Sequence, residues 1–313
     1  MSNQAKPAYG GQAVIEGVMF GGKHTTVTAV RRKDQSIEFF EVPKKPNPFI
    51  QKLKKIPFLR GIAAILEASS IGTKHLNFSS ERYDVDPEDD DTIDSSPSRI
   101  TLILGVAVVG ALSFLFGQFV FVVVPAWAAH LFQPIFPGHI MQNVLEGAFK
   151  IALLLGYIYF ISITPLMKRV FQYHGAEHKV INTYENGAPL TVENVKKHSR
   201  LHYRCGSSFI LFTAIIGIII YFFVPTDPLW ERLLYRIVLI PVVLGLSFET
   251  LQLTNKLRNI PVLRYLGYPG LWLQLLTTKE PNGEKIEVAI QSFNKMKQKE
   301  DQIQADGIDA QIG

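Results

Sequence analysis

Cysteine is almost missing from this sequence. A single one, Cys205, occurs in 313 residues, which excludes a disulfide framework and any metal cluster built from cysteine alone. The first eleven residues hold one lysine and no apolar core, so they do not read as a cleavable signal peptide. Charge is also scarce, at 19% of residues against 47% hydrophobic. It is crowded into residues 1–99, 168–204 and 254–313. The long charge-poor stretches between exclude a single soluble globular domain. No internal repeat is present, so a solenoid is excluded. The run from Gly17 to Lys23 matches G-x-x-x-x-G-K, but His24 follows where a phosphate-binding loop needs Ser or Thr. The net charge of +5 bears on membrane orientation, and no nucleic-acid partner is implied.

Four apolar segments are present. They cover residues 100–127, 144–167, 209–224 and 237–253. A bilayer core of about 30 Å needs roughly 20 helical residues at 1.5 Å each. The first two segments meet that length. The last two are short and need flanking residues or a thinner bilayer. Residues 128–143 carry no Lys or Arg, whereas residues 168–204 carry seven. Positive charge stays on the cytoplasmic side. Four spans therefore place both termini and the 168–204 loop in the cytoplasm. Trp127 and Trp230 fall at the outer interface, where indole rings prefer to lie.

The fold class expected is an α-helical membrane protein of about four spans with a small N-terminal β-rich cytoplasmic unit. Residues 1–48 read as a β meander: Thr25 to Arg32 alternates, residues 33–35 turn, and Ser36 to Val42 resumes the run. Residues 49–80 read as a basic amphipathic helix that either lies on the bilayer or packs on the β unit. Residues 81–99, with the acidic run 84–94 and Pro87, read as a solvated linker. Residues 100–255 form the membrane domain, with a site loop at 168–205. Residues 256–313 hold short amphipathic helices at 271–278 and 284–299, then a disordered tail.

Histidine carries the strongest chemical signal. Eight histidines scattered at random give roughly 0.2 pairs at spacing four, the spacing that aligns side chains on one helix face. This chain has two such pairs, His174/His178 and His198/His202, within one loop. The first pair lies in Tyr173-His-Gly-Ala-Glu-His-Lys179, an H-x-x-E-H run that inverts the zinc-protease motif. His174 and His178 can ligate one ion, with Glu177 acting as base on a water or as a further ligand. His202 and Cys205 supply more ligands, and His198 is a spare. The implied ion is divalent, zinc first, because imidazole and thiolate suit it. Glu249 is ionisable within an apolar segment and is therefore a functional candidate. Glu16, between glycine-rich turns, is a weaker one.

Several longer runs together resemble the YqhQ family of bacterial multi-pass membrane proteins. They are Gly10-Gly-Gln-Ala-Val-Ile-Glu-Gly-Val-Met19, the 173–179 run, Arg204-Cys-Gly-Ser-Ser-Phe209, and Pro269-Gly-Leu-Trp-Leu-Gln-Leu-Leu-Thr-Thr-Lys-Glu-Pro281. The resemblance covers residues 8–285. It implies a membrane location and a metal-dependent enzyme of unknown function, and it supplies no substrate. One departure is His202-Tyr203-Arg204-Cys205-Gly206-Ser207, where the family usually has His-Pro-Arg-Cys-Gly-Thr. His and Cys persist without the rigid proline. Two functional readings follow. One is a metal-dependent hydrolase acting on a membrane peptide or lipid, with the bilayer as its setting. The other is a non-catalytic, metal-stabilised scaffold, transport or assembly factor.

Overall fold

A computed structural model describes residues 9–45, 47–87, 112–113, 115–117, 119–224 and 228–307. The chain opens with a four-stranded antiparallel sheet in sequence order: β1 (Gly10–Val14), β2 (Gly17–Gly21), β3 (Thr25–Arg31) and β4 (Ile37–Pro43). The expected meander is thus present. The β1–β2 connection is two residues long, and Glu16 takes the left-handed φ of 53° that such a tight turn requires. The pairing of Phe20 with Val27 and of Val18 with Ala29 puts these four on one face. Thr26 and Thr28 alternate with them and point to the other face, as strand geometry demands.

Helix α1 (Pro48–Lys54) starts on an Asn47 cap with proline at its first turn. Helix α2 (Leu59–Glu81) crosses one face of the sheet. His75 and Phe78 are buried there against Thr26, Thr28 and Phe40. The choice between bilayer and β unit is therefore settled for the C-terminal half of α2, which packs on the sheet. Its N-terminal half packs elsewhere, as described below.

Beyond the described linker residues, a π-helical turn (Phe119–Val123) leads into α3 (Val124–Leu131). Half of the first apolar segment, including residues 100–111, lies outside the described residues. Helix α4 (His139–Ile163) and helix α5 (Pro165–Glu185) follow. The second segment was expected to run to residue 167, but it breaks at Thr164. Pro165 cannot continue the hydrogen-bond ladder and forces Thr164 to an extended ψ of 142°. The expected loop 168–204 is largely helical: α5 runs straight through it to Glu185, and α6 (Val192–Lys197) follows.

Helix α7 (Gly206–Tyr221) matches the third apolar segment. The fourth is divided between α8 (Leu229–Val238) and α9 (Ile240–Leu257), with Pro241 in the first turn of α9. After a 3-10 turn come α10 (Tyr268–Thr277) and α11 (Gly283–Ala305). The latter ends at Ala305, four residues into the last dozen expected to be disordered, and residues 308–313 lie outside the described set.

The core joins distant parts of the chain. Val18, Phe20, Val27 and Ala29 of the sheet pack with Tyr173, Ala176 and Val180 of α5 and with Ile286, Ala289 and Phe293 of α11. Fully burying a side chain such as Phe20 or Phe293 stabilises by about 1.5–3 kcal/mol. The result is three layers: α2, sheet, then α5 with α11. The apolar helices are different. Among the described residues, α4 alone is long and apolar enough to cross a bilayer, and 17% of its most apolar window is buried. Tyr157, Phe160 and Ile163 on α4 are exposed, as are Phe223, Ile237 and Val238.

Candidate metal centre

The H-x-x-E-H run sits in the middle of α5. Gly175 does not break this helix, and its lack of a side chain has a local reason. A Cβ there would lie 2.2 Å from the carbonyl oxygen of Lys279. The segment after α10 runs directly against the helix at that point, with the Lys279 N–H donating to the Phe171 carbonyl at 2.8 Å.

His174 and His178 face the same way, with ring centroids 4.4 Å apart. His174 Nδ1 lies 2.8 Å from the Thr277 carbonyl oxygen, and His178 Nδ1 lies 2.6 Å from that of Arg200. A carbonyl only accepts, so each Nδ1 carries the proton and each Nε2 keeps its lone pair. This arrangement orients a metal-ligating imidazole. His174 Nε2 stands 3.2 Å from Cys205 Sγ. One ligating atom from each of His174, His178 and Cys205 falls within 4.8 Å of the others. Cys205 is the N-cap of α7 and accepts from the Ser207 N–H at 3.4 Å. Burial pushes the pKa of His178 down, with the neighbouring Cys205 acting against it. A neutral imidazole is the form that binds metal.

His202 stands one step back. Its ring centroid is 5.8 Å from that of His178. Its Nε2 is buried without a hydrogen-bond partner and lies 3.7 Å from the Glu185 carboxylate. Burial pushes its pKa down, with Glu185 acting against this. Glu177 points to β1, where it accepts from the Gly11 N–H. Its Oε2 is buried and unpartnered. Burial raises its pKa to about 7, with His174 and the Gly11 N–H acting the other way. A Cβ on Gly11 would lie 2.9 Å from the Glu177 side chain, so glycine is what lets the carboxylate approach the strand.

These groups line one end of a cavity of about 950 Å³. Much of the remaining wall is apolar, from Ile158, Ile161, Val170, Phe171, Ile210 and Phe248. The chemistry of the donor set fits zinc. Two imidazole nitrogens and one cysteine sulfur converge, and the buried Glu177 Oε2 stands alongside.

Three other candidates are engaged elsewhere. Glu16 binds Arg169 in bidentate fashion at 2.5 and 2.6 Å and accepts from the Tyr173 hydroxyl at 3.3 Å. It ties the first hairpin to α5 one turn before His174. Glu249 accepts from Arg60 Nε at 2.7 Å and from the Phe58 N–H at 3.3 Å, so it holds the N-terminal half of α2 against α9. His198 Nδ1 lies 3.0 Å from the Asn194 carbonyl and 3.1 Å from the Thr183 hydroxyl.

Sequence reasoning missed the supports. Gln274 accepts from the His202 N–H and donates to the His202 carbonyl and the Ser208 hydroxyl, each at 2.8 Å. Lys179 is buried and donates to the carbonyls of Lys196 and His198 and pairs with Glu280 at 2.7 Å. The signal was present in the 269–281 run, which supplies Gln274, Thr277 and Glu280.

A three-layer α/β/α unit is thus joined to apolar helices, with a two-histidine, one-cysteine cluster at the junction. That combination defines the class as a predominantly helical chain with a small antiparallel sheet and a candidate metal centre. The chain belongs to a family whose profile, "Protein of unknown function (DUF1385)", matches residues 56–299. It is 64% identical over 297 residues to "Uncharacterized protein YqhQ" of Bacillus subtilis (strain 168), covering 94% of this chain and 93% of that protein. No solved structure matches the chain.

Proposed function

We propose that the chain is a multi-pass protein of the bacterial cell membrane, with both termini and the cluster on the cytoplasmic side. Its activity is zinc-dependent hydrolysis of an amide or ester bond in a peptide or lipid substrate held at the membrane surface. The observation that carries the reading is the convergence of His174, His178 and Cys205 beside the unpartnered, buried Glu177 carboxylate. The exposed apolar faces of α4 and α8, and the lysine and arginine of the 168–204 region, support the membrane placement.

His174 Nε2, His178 Nε2 and Cys205 Sγ would hold the zinc, which when bound supplies Lewis acidity at the carbonyl. Glu177 accepts a proton from the attacking water. The hydroxide oxygen bonds to the carbonyl carbon, and the C–N or C–O bond then breaks. Glu177 returns the proton to the departing nitrogen or oxygen, so one water is consumed and the carboxylate is restored. Gly11, Thr277 and Arg200 act only as positioning residues.

The scaffold reading has one observation in its favour. His202 is buried nearby, its Nε2 3.7 Å from the Glu185 carboxylate, and as a fourth ligand it would close the site. Metal analysis of the detergent-purified protein separates the two. His174→Ala and His178→Ala should lose zinc, while Glu177→Gln should keep near-normal zinc and lose cellular function. Equal zinc loss in all three variants would make Glu177 a ligand and favour the scaffold. Full zinc in the histidine variants would overturn the metal centre.

A further inference from the structure

We infer that the substrate is an extended peptide segment, held as an added strand on the free edge of β1; this rests on the hydrolase reading above.

β1 is the edge strand of the sheet. In an antiparallel pair, the backbone groups of alternate residues turn toward and away from the neighbouring strand. Three contacts give the phase on β1. The Gly11 N–H goes to Glu177 and the Ile15 N–H to the Ser79 hydroxyl at 3.3 Å. The Tyr9 carbonyl accepts from Arg204 at 3.2 Å. Odd-numbered residues therefore face away from β2. Ala13 lies between Gly11 and Ile15, so its N–H and C=O turn outward as well. Neither has a partner outside the sheet among the described residues, and Ala13 lines the cavity that holds the cluster.

An exposed edge is normally blunted by charge, proline or a covering element. This edge is engaged at Tyr9 by Arg204, at Gly11 by Glu177 and at Ile15 by Ser79, and is left open at Ala13. An open donor and acceptor on one residue is the pattern an extended backbone completes by strand addition. The acyl esters of a glycerolipid offer carbonyls but no adjoining N–H to pair with the Ala13 carbonyl. The spacing also fits. Two residues of strand span about 7 Å, so a peptide paired with Ala13 presents its backbone two residues along, opposite Gly11. Gly11 is where Glu177 docks. The carbonyl there is the one hydrolysed, with the atom balance given above. Ile158, Val170 and Phe171 make the adjoining wall apolar, which selects peptides with apolar side chains.

The test uses full-length Glu177→Gln protein in detergent micelles. The probes are a dansyl-labelled hexapeptide of alternating valine and alanine, its analogue N-methylated at alternate residues, and a dansyl-labelled lysophospholipid. Fluorescence anisotropy reads binding, and zinc content is read separately. The unmodified peptide should bind. N-methylation, and the Ala13→Pro substitution in the protein, should each weaken it about tenfold, the scale for losing a strand hydrogen bond. Proline is tolerated on a strand edge, and the methylated peptide gives the same information should the variant fail to fold. Equal binding of both peptides overturns the inference, as does lysophospholipid binding with no peptide binding. Zinc present without peptide binding would sink this inference and leave the metal centre standing. Peptide binding without zinc would sink the hydrolase reading and the peptide's role as its substrate, and leave only the strand-addition site standing, because β1 supplies no ligand.

Discussion

Acidification should loosen α2 from the sheet, and His75 determines how much. This imidazole is fully buried. It lies between Thr26 Oγ1 at 2.9 Å from Nε2 and Thr28 Oγ1 at 2.6 Å from Nδ1, with the Phe40 ring against its edge. None of these partners is charged. Burial lowers its pKa from 6.5 to about 4, and the adjacent Lys74 pushes the same way. The sign follows from the direction. The folded state disfavours the proton, so the stability is fully present above pH 6.5 and is lost as pH falls toward 4. Each unit is worth about 1.4 kcal/mol, so the full loss is about 3 kcal/mol, and about 2 kcal/mol is already gone at pH 5. The assay is thermal unfolding of the detergent-solubilised protein between pH 8 and pH 4.5, for wild type and His75→Gln. His178 and His202 titrate in both proteins, so the difference between the two profiles isolates His75. Hydrogen exchange at α2 and β3 should accelerate in the same window. Identical pH slopes for the two proteins would refute the reasoning.

Two more expectations follow from the supports and the charge pattern. Gln274→Leu leaves the His202 N–H and the Ser208 hydroxyl unpaired in a buried place. It should cost about 2–3 kcal/mol of stability and weaken zinc affinity by roughly 10–100-fold; unchanged zinc affinity would remove Gln274 from the positioning set. A cysteine placed at Asn186, at the end of α5, should be labelled by a membrane-impermeant reagent only after cells are opened. Labelling in intact cells would reverse the orientation.

What the sequence alone determined is what short-range spacing encodes. The period-2 alternation of Thr25 to Arg31 produced β3, and the spacing of His174 and His178 put both on one face of α5. Cys205 and His202 were nominated from composition and proximity, because few residue types ligate zinc. The breaks at Pro165 and Pro241 were legible in principle, since proline stops a helix locally. Tertiary structure alone decided how these pieces are used. Glu16 and Arg169 meet across 153 positions, and Glu249 and Arg60 across 189. A carboxylate's role depends on which cation packing brings to it, and no local period records that choice. The same holds for Gln274, whose polar head is buried because α10 crosses the 202–208 turn. It holds also for β1, whose open edge beside Glu177 exists only because α5 and the sheet share one core.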